Sequence, residues 1–186
     1  MNATPGSTDV VRIHLPEWRD SLAVNQEIRR ALRSGRTDFL LTGARGDRLL
    51  LNGLDGPYIG RIRIDGDVGT ELARDLDAEG LFVLVNGSAG SGAGMSMKSG
   101  TLLITGSCGA LLGTGMRGGA IWALGTVGSR AGHRSIGGVI RTAHDFGPMA
   151  RDRSIAGRIE PIRPDDQEAR ETIAVRSAMA SFGEPG

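Results

Sequence analysis

The sequence predicts an all-β fold, a single-stranded, right-handed parallel β-helix of about five to six coils with helical caps at both ends. Three observations predict it. Glycine recurs every 19 residues in four columns: Gly87, Gly106, Gly125; Gly90, Gly109, Gly128, Gly147; Gly94, Gly113, Gly132; and Gly100, Gly119, Gly138, Gly157. One shared period across four columns means the same coil of backbone is laid down repeatedly, which is a solenoid. Each repeat also carries one short β-rich run, Leu81–Val85, Thr101–Ile104, Ala120–Leu124 and Val139–Thr142, too short for a helical repeat. Stacking at the 19-residue offset, with 21 for the first step, aligns Ile62, Val83, Leu102, Ile121, Ile140 and Ile159 into one aliphatic column. Ile64, Val85, Ile104, Ala123 and Thr142 form a second inward column. Because side chains alternate across a strand, Arg63, Leu84, Leu103, Trp122, Arg141 and Glu160 point outward.

The N-terminal flank, 1–36, reads as a strand at Val10–Leu15, a turn from Pro16 to Ser21, and a helix from Leu22 to Ser34. Leu22, Ile28 and Leu32 are its apolar positions, and Gly35 stands where a helix C-cap glycine belongs. This unit is expected to close the open edge of the first coil, which would otherwise pair with another chain. The solenoid proper spans 37–163. Its corners are Gly-x-x-Gly pairs, among them Gly66/Gly69, Gly87/Gly90, Gly106/Gly109 and Gly125/Gly128. A corner needs either φ > 0 or a close approach to the neighbouring coil, and a Cβ obstructs both. His144 takes the glycine column in the last repeat, as expected of a capped array end. The C-terminal flank, 164–186, places early acids before Ala169, Ile173, Ala174 and Arg176, a helix from Asp165 to Met179.

A chain of 186 residues with no Pro/Ser-rich linker or charge block is one domain. Net charge +1 with 4% aromatic residues excludes a general nucleic-acid surface. No apolar run reaches membrane-spanning length and no secretory leader pattern opens the chain, so a cytoplasmic protein is expected. The single cysteine, Cys108, lies within a Gly-x-x-Gly corner and reads as a small buried filler.

Most motifs of chemistry fail on context. Gly113-Thr-Gly115-Met-Arg-Gly118 matches the dinucleotide fingerprint in letters, yet a strand follows it where a helix is required. The calcium-roll repeat lacks its aspartates, and His14, His133 and His144 lack metal-ligand spacing. His133 stacks over Asp152, which reads as a surface ladder contact because no nucleophile or third orienting group aligns with them. Two outward features remain as candidate interfaces. Leu84, Leu103 and Trp122 form a contiguous apolar stripe, open to a partner or to one of the chain's own terminal helices. Arg134 and Arg153 stack one coil apart, a repulsive pair unless an acid or anion meets them, or a solvated basic edge.

The run Asn86-Gly-Ser-Ala-Gly90, Gly94-Met95-Ser-Met97-Lys-Ser-Gly100, Leu102-Leu-Ile-Thr-Gly106-Ser-Cys-Gly109 and Gly115-Met-Arg-Gly-Gly119 resembles the GXGXG β-helix domain of the glutamate synthase large subunit. Asn25-Gln26-Glu27-Ile28-Arg29-Arg30 resembles the asparagine-led helix that precedes that solenoid. As a short chain it is most similar to the free-standing GXGXG subunit of N-methylglutamate synthase-like enzymes.

The resemblance implies a non-catalytic scaffold that holds a class II glutamine amidotransferase subunit to an FMN-binding synthase-like subunit, the flavin bound by that partner and no cofactor, metal or catalytic residue by this chain. Partner subunits or self-association are the expected contacts, with no nucleic acid and no membrane. The same solenoid occurs in the GXGXG-bearing subunit of formylmethanofuran dehydrogenase and of the related formyltransferase/hydrolase complex, an alternative scaffold role in one-carbon chemistry. A stand-alone acyltransferase β-helix is disfavoured, since it would show a hexapeptide pattern and coils near 18 residues.

Overall fold

The strands pair strictly in sequence order, as a chain wound in one direction must. In this computed structural model, which describes residues 10–163 and 165–183, the stretches 1–9, 164 and 184–186 of the predicted flanks lie outside the described residues. Eight strands form one sheet: β1 (Val11–His14), β2 (Asp38–Asp47), β3 (Ile59–Val68), β4 (Gly80–Asn86), β5 (Thr101–Ile104), β6 (Ala120–Ala123), β7 (Val139–Thr142) and β8 (Arg158–Pro161). All neighbours are parallel. The register is the predicted one: Ile62 opposes Val83, then Leu102, Ile121, Ile140 and Ile159 follow rung by rung. The molecule is a parallel β-helix of six coils, 38–58, 59–79, 80–100, 101–119, 120–138 and 139–157, with β8 as a final half-rung.

Within each coil, the segment after the strand turns on three left-handed residues at alternate positions. In coil 1 these are Leu49, Leu51 and Gly53; in coil 2, Glu71, Ala73 and Asp75; in coil 3, Gly92, Gly94 and Ser96. Coils 4 and 5 use Leu111, Gly113, Gly115 and Arg130, Gly132, Arg134, and coil 6 uses Met149, Arg151 and Arg153. Each non-glycine residue there costs about 1–2 kcal/mol of backbone strain, offset by hydrogen bonds to both neighbouring coils. The amides of Ala73, Gly94, Gly113, Gly132 and Arg151 donate back to the carbonyls of Leu50, Leu72, Ala93, Leu112 and Ala131. Those of Glu71, Leu111 and Arg130 donate forward to Ser91, Ser129 and Pro148.

The corner glycines follow a different rule from the left-handed one. Among Gly66, Gly69, Gly87, Gly90, Gly106, Gly109, Gly125 and Gly128, Gly66 alone has positive φ, at 114°. The others are required by proximity. A Cβ on Gly109 would lie 2.6 Å from the Ser91 amide nitrogen, one on Gly128 2.7 Å from that of Ala110, and one on Gly125 2.5 Å from the Gly106 carbonyl. Gly87 would meet the Gly66 carbonyl closer still. Of the two physical reasons for a corner glycine, close backbone approach wins.

Helix α1 (Ser21–Arg33) caps the first coil. Asp20 starts it by accepting the Ala23 amide at 2.9 Å, which holds its carboxyl below the usual carboxylate range, and Gly35 ends it at φ 87°. Val24, Ile28 and Leu32 join the core, whereas Leu22 is 61% exposed. The buried Asn25 replaces a missing coil. Its Oδ1 accepts the Leu51 amide at 2.7 Å, the bond that a preceding carbonyl supplies in every later coil, and its Nδ2 donates to the Leu49 carbonyl at 2.8 Å. Arg29 donates to the Gly53 carbonyl at 2.6 Å. Strand β1 meanwhile extends the sheet by one rung below β2.

The predicted C-terminal helix forms, but among the described residues no helix covers the last coil, because this one lies along the outer face of the sheet. Instead the core itself turns polar. The column Leu54, Leu76, Met97, Met116 ends in Ser135 and Ser154, whose hydroxyls lie 2.8 Å apart, and the column Leu51, Ala73, Gly94, Gly113, Gly132 ends in the exposed Arg151. An inward-column charge at an open solenoid end opposes further stacking. Helix α2 (Gln167–Ala178) and a 3-10 turn (Met179–Gly183) run back along the outer face of the sheet.

Gly109→Ala should lower stability by about 3 kcal/mol, because the neighbouring backbone must shift. Gly115→Ala, whose Cβ would meet nothing nearer than 3.5 Å, should cost only the left-handed strain of about 1–2 kcal/mol. Calorimetric melting ranks the two, and the reverse order would refute the proximity argument. Asn25→Leu should cost about 1–3 kcal/mol, because it strands the buried Leu51 amide, while the Leu49 carbonyl keeps the Asn52 amide at 3.3 Å; an unchanged melting temperature would refute the capping role.

Candidate functional surfaces

The apolar stripe is the first candidate, and the structure removes it as a free surface. Leu84, Leu103 and Trp122 are only 1–2% exposed, because the C-terminal segment packs over them together with Leu40. Ala169, Met179 and Phe182 supply the buried contacts, while Ile173 is 57% exposed. Arginines on the strand face fasten this strap at both ends. Arg141 lies 4.7 Å over the Trp122 ring and 2.7 Å from Glu168, with Asp166 at 3.7 Å. At the far end Arg63 donates to the carbonyls of Met179 and Ala180, Arg12 donates to that of Phe182, and Arg61 lies over the Phe182 ring. Acids at the start of α2 and cations beyond its end both favour the helix dipole. Trp122 Nε1 is buried with no acceptor among the described residues, so the indole is held by shape and by the guanidinium above it.

The second candidate lies on the turn face, formed by the left-handed segments of the six coils. Their first and fifth positions project outward, and their second and third face the core. Arg134 and Arg153 hold the fifth position of coils 5 and 6, so the structure does bring them together, one coil apart and exposed. Arg130, at the first position of coil 5, joins them. Among the described residues no carboxylate forms an ion pair with Arg130, Arg134 or Arg153. Arg130 escapes the sequence reading, because its left-handed column is visible only once the backbone is placed: Leu111 and Met149 share it.

The remaining chemistry-bearing groups are inert by placement. His133 Nδ1 lies 3.2 Å from Asp152 Oδ2 but is not aligned for a hydrogen bond. Thr114, the residue beneath His133 in the same column, has its hydroxyl oxygen buried, so the three cannot present a nucleophile to a substrate. Burial pushes the Cys108 thiol up to about 12, leaving almost no thiolate at neutral pH. Strand β6 begins directly after Gly119, so the fingerprint at Gly113–Gly118 opens no helix. Among the described residues no group of three His, Cys, Asp or Glu could hold a metal, and no helix is long and apolar enough to cross a membrane. A cleft of about 560 Å³ between α1 and coil 1 is lined by Trp18, Leu22, Arg48 and Leu49 without a convergent catalytic set.

Trp122→Asp should destabilise the folded chain by about 3 kcal/mol or more, as a core residue would, because it buries a charge beneath the strap. Melting temperature together with mass by light scattering reads this, and a stable variant that merely loses association would show that the stripe faces a partner instead.

Compared with known proteins, the chain matches no family model, no curated protein and no solved structure.

Proposed function

We propose that this chain is a non-catalytic scaffold subunit of a glutamate-synthase-like, glutamine-dependent enzyme, holding a class II amidotransferase subunit and an FMN-binding subunit together. The observation that carries the reading is what the resembling residues do. The glycines of the ladder sit where neighbouring coils touch, and Asn25 of the asparagine-led helix seats that helix on the first coil. Most of the motif's glycines thus serve to build a rod, and a rod of six coils offers several long faces to other subunits. Its strand face is already occupied by the chain's own C-terminal strap.

In this role the chain brings shape and spacing, and the reactions belong to the partners: release of ammonia from glutamine by one, and its use at a flavin by the other. The alternative role in a formylmethanofuran dehydrogenase-like complex calls on the same rod and differs in the partner.

Purified alone, the chain should show no flavin absorbance and no glutaminase activity. Mixed with an amidotransferase and an FMN-barrel subunit of an N-methylglutamate synthase-like enzyme, it should co-elute with both. Stoichiometric flavin or glutaminase turnover in the isolated chain would overturn the scaffold reading, and selective co-elution with an amidohydrolase-like subunit would transfer it to the one-carbon complex.

A further inference from the structure

We propose that the turn face binds the turn face of a second copy of this chain, in an antiparallel two-fold dimer. A two-fold axis perpendicular to both the contact plane and the solenoid axis would spin a face in place; one perpendicular to the solenoid axis but lying in the contact plane instead reverses the order of the coils and keeps each column opposite itself. Six coils then pair as 1 with 6, 2 with 5 and 3 with 4.

The outward columns are self-complementary under this operation. The first position reads Leu49, Glu71, Gly92, Leu111, Arg130, Met149 from coil 1 to coil 6, and the fifth reads Gly53, Asp75, Ser96, Gly115, Arg134, Arg153. Reversal places Glu71 opposite Arg130 and Asp75 opposite Arg134. It places the exposed Leu49 against the exposed Met149, and the knob of Leu111 over Gly92. Around the axis itself lie Gly92, Ser96 and Gly115 together with Leu111 and the half-buried Met95, whose Cε lies beside Gly92, so the centre of the contact is uncharged.

Within one chain these charges cannot meet. Glu71 and Arg130 lie three coils apart, about 14 Å at ordinary strand spacing. The charge reversal is a property of the whole rod: residues 38–86 carry nine acids against five Arg, and residues 87–158 carry eight Lys and Arg against two Asp. Glu71 and Asp75 both contact Arg74, at 2.8 and 3.2 Å, which leaves the trio with a net negative charge and spare carboxylate lone pairs. Arg130 and Arg134 have no acid partner among the described residues.

The next outward column, Asp55, Asp77, Lys98, Arg117, Ile136 and Ile155, would set Lys98 against Arg117, so the contact stops short of it. The interface is therefore narrow, and its affinity modest and salt-sensitive. Each contact occurs twice, as in any isologous dimer. The dimer requires only this surface and stands whether or not the scaffold reading does.

Charge exchange tests it on the full chain. One variant carries Glu71→Arg and Asp75→Arg, the other Arg130→Glu and Arg134→Glu. Light scattering at low salt should show wild type as a dimer that dissociates as salt rises. Each variant alone should be monomeric, because like charges then oppose at both ends. An equimolar mixture should restore the dimer. There the arginine introduced at position 71 of one variant meets the glutamate introduced at position 130 of the other, and at the opposite end native Glu71 meets native Arg130. Circular dichroism melting checks that both variants fold; if one does not, the single change Arg134→Glu, at an exposed site, should still weaken the wild-type dimer at least tenfold. A wild-type chain that stays monomeric when concentrated at low salt, a dimer indifferent to the exchanges, or retention of the monomer by nucleic acid through these arginines would each overturn the proposal.

Discussion

Everything in this molecule depends on how closely one coil of backbone lies upon the next. At the corners of coils 2 to 5 that separation leaves no room for a Cβ, so the position is glycine whatever its dihedral angles, whereas the last coil admits His144. On the turn face the same separation is met by hydrogen bonds whose donors come from left-handed residues, and their strain is tolerated because the bonds run to both neighbours. Glycine is favourable there but dispensable, which is why Leu49, Glu71, Leu111 and Arg130 occupy the conformation. One constraint thus yields two kinds of position, one sterically absolute and one merely strained, and it is the second kind that leaves room for a chemically varied surface.

That division explains what is legible in the sequence. The sheet register, the number of coils and the inward columns can be read there, since translational symmetry repeats each structural demand at a fixed interval and Ile62 to Ile159 answer it alike. The corner glycines stand out for the same reason, although their cause is proximity and seldom dihedral angle. The left-handed columns stay hidden because residues as unlike as Gly92, Leu111 and Arg130 share one backbone state. So the turn face shows in the sequence only as the pair Arg134 and Arg153, and its acidic counterpart several coils away does not show at all. The path of α2 is hidden too. A helix that buries only Ala169 and Thr172 carries almost no periodic signature, and its placement over the stripe is set by arginines distant in sequence.

The two ends of the rod solve the same problem by opposite means. At the start, a growing stack would offer an unpaired amide at Leu51, and one asparagine side chain answers it in the geometry of the absent carbonyl. A helix can do this because it carries its own backbone bonds and needs only a side chain to reach out. At the finish, none of the described residues after β8 covers the last coil; the core narrows to Ser135, Ser154 and Ala150, and Arg151 stands in a column that is otherwise aliphatic or glycine. Extending the stack would bury that guanidinium without a partner, a cost that ends the array as firmly as a cap would.

With both ends closed and the strand face strapped by α2, association is left to the sides of the rod. On a repeating rod, a side that was chemically uniform could slide along a partner one coil at a time at little cost, since every register would satisfy the same contacts. Charge that changes sign along the axis removes that freedom. A shift of one coil would move Arg130 away from Glu71 and toward Gly92 and Arg134 toward Ser96, leaving at each end only Asp75 against Arg153 in place of two opposed pairs. The arrangement of Glu71 and Asp75 at one end and Arg130 and Arg134 at the other, with uncharged residues between, therefore favours one register as well as contributing affinity, which the repeating backbone cannot do for itself.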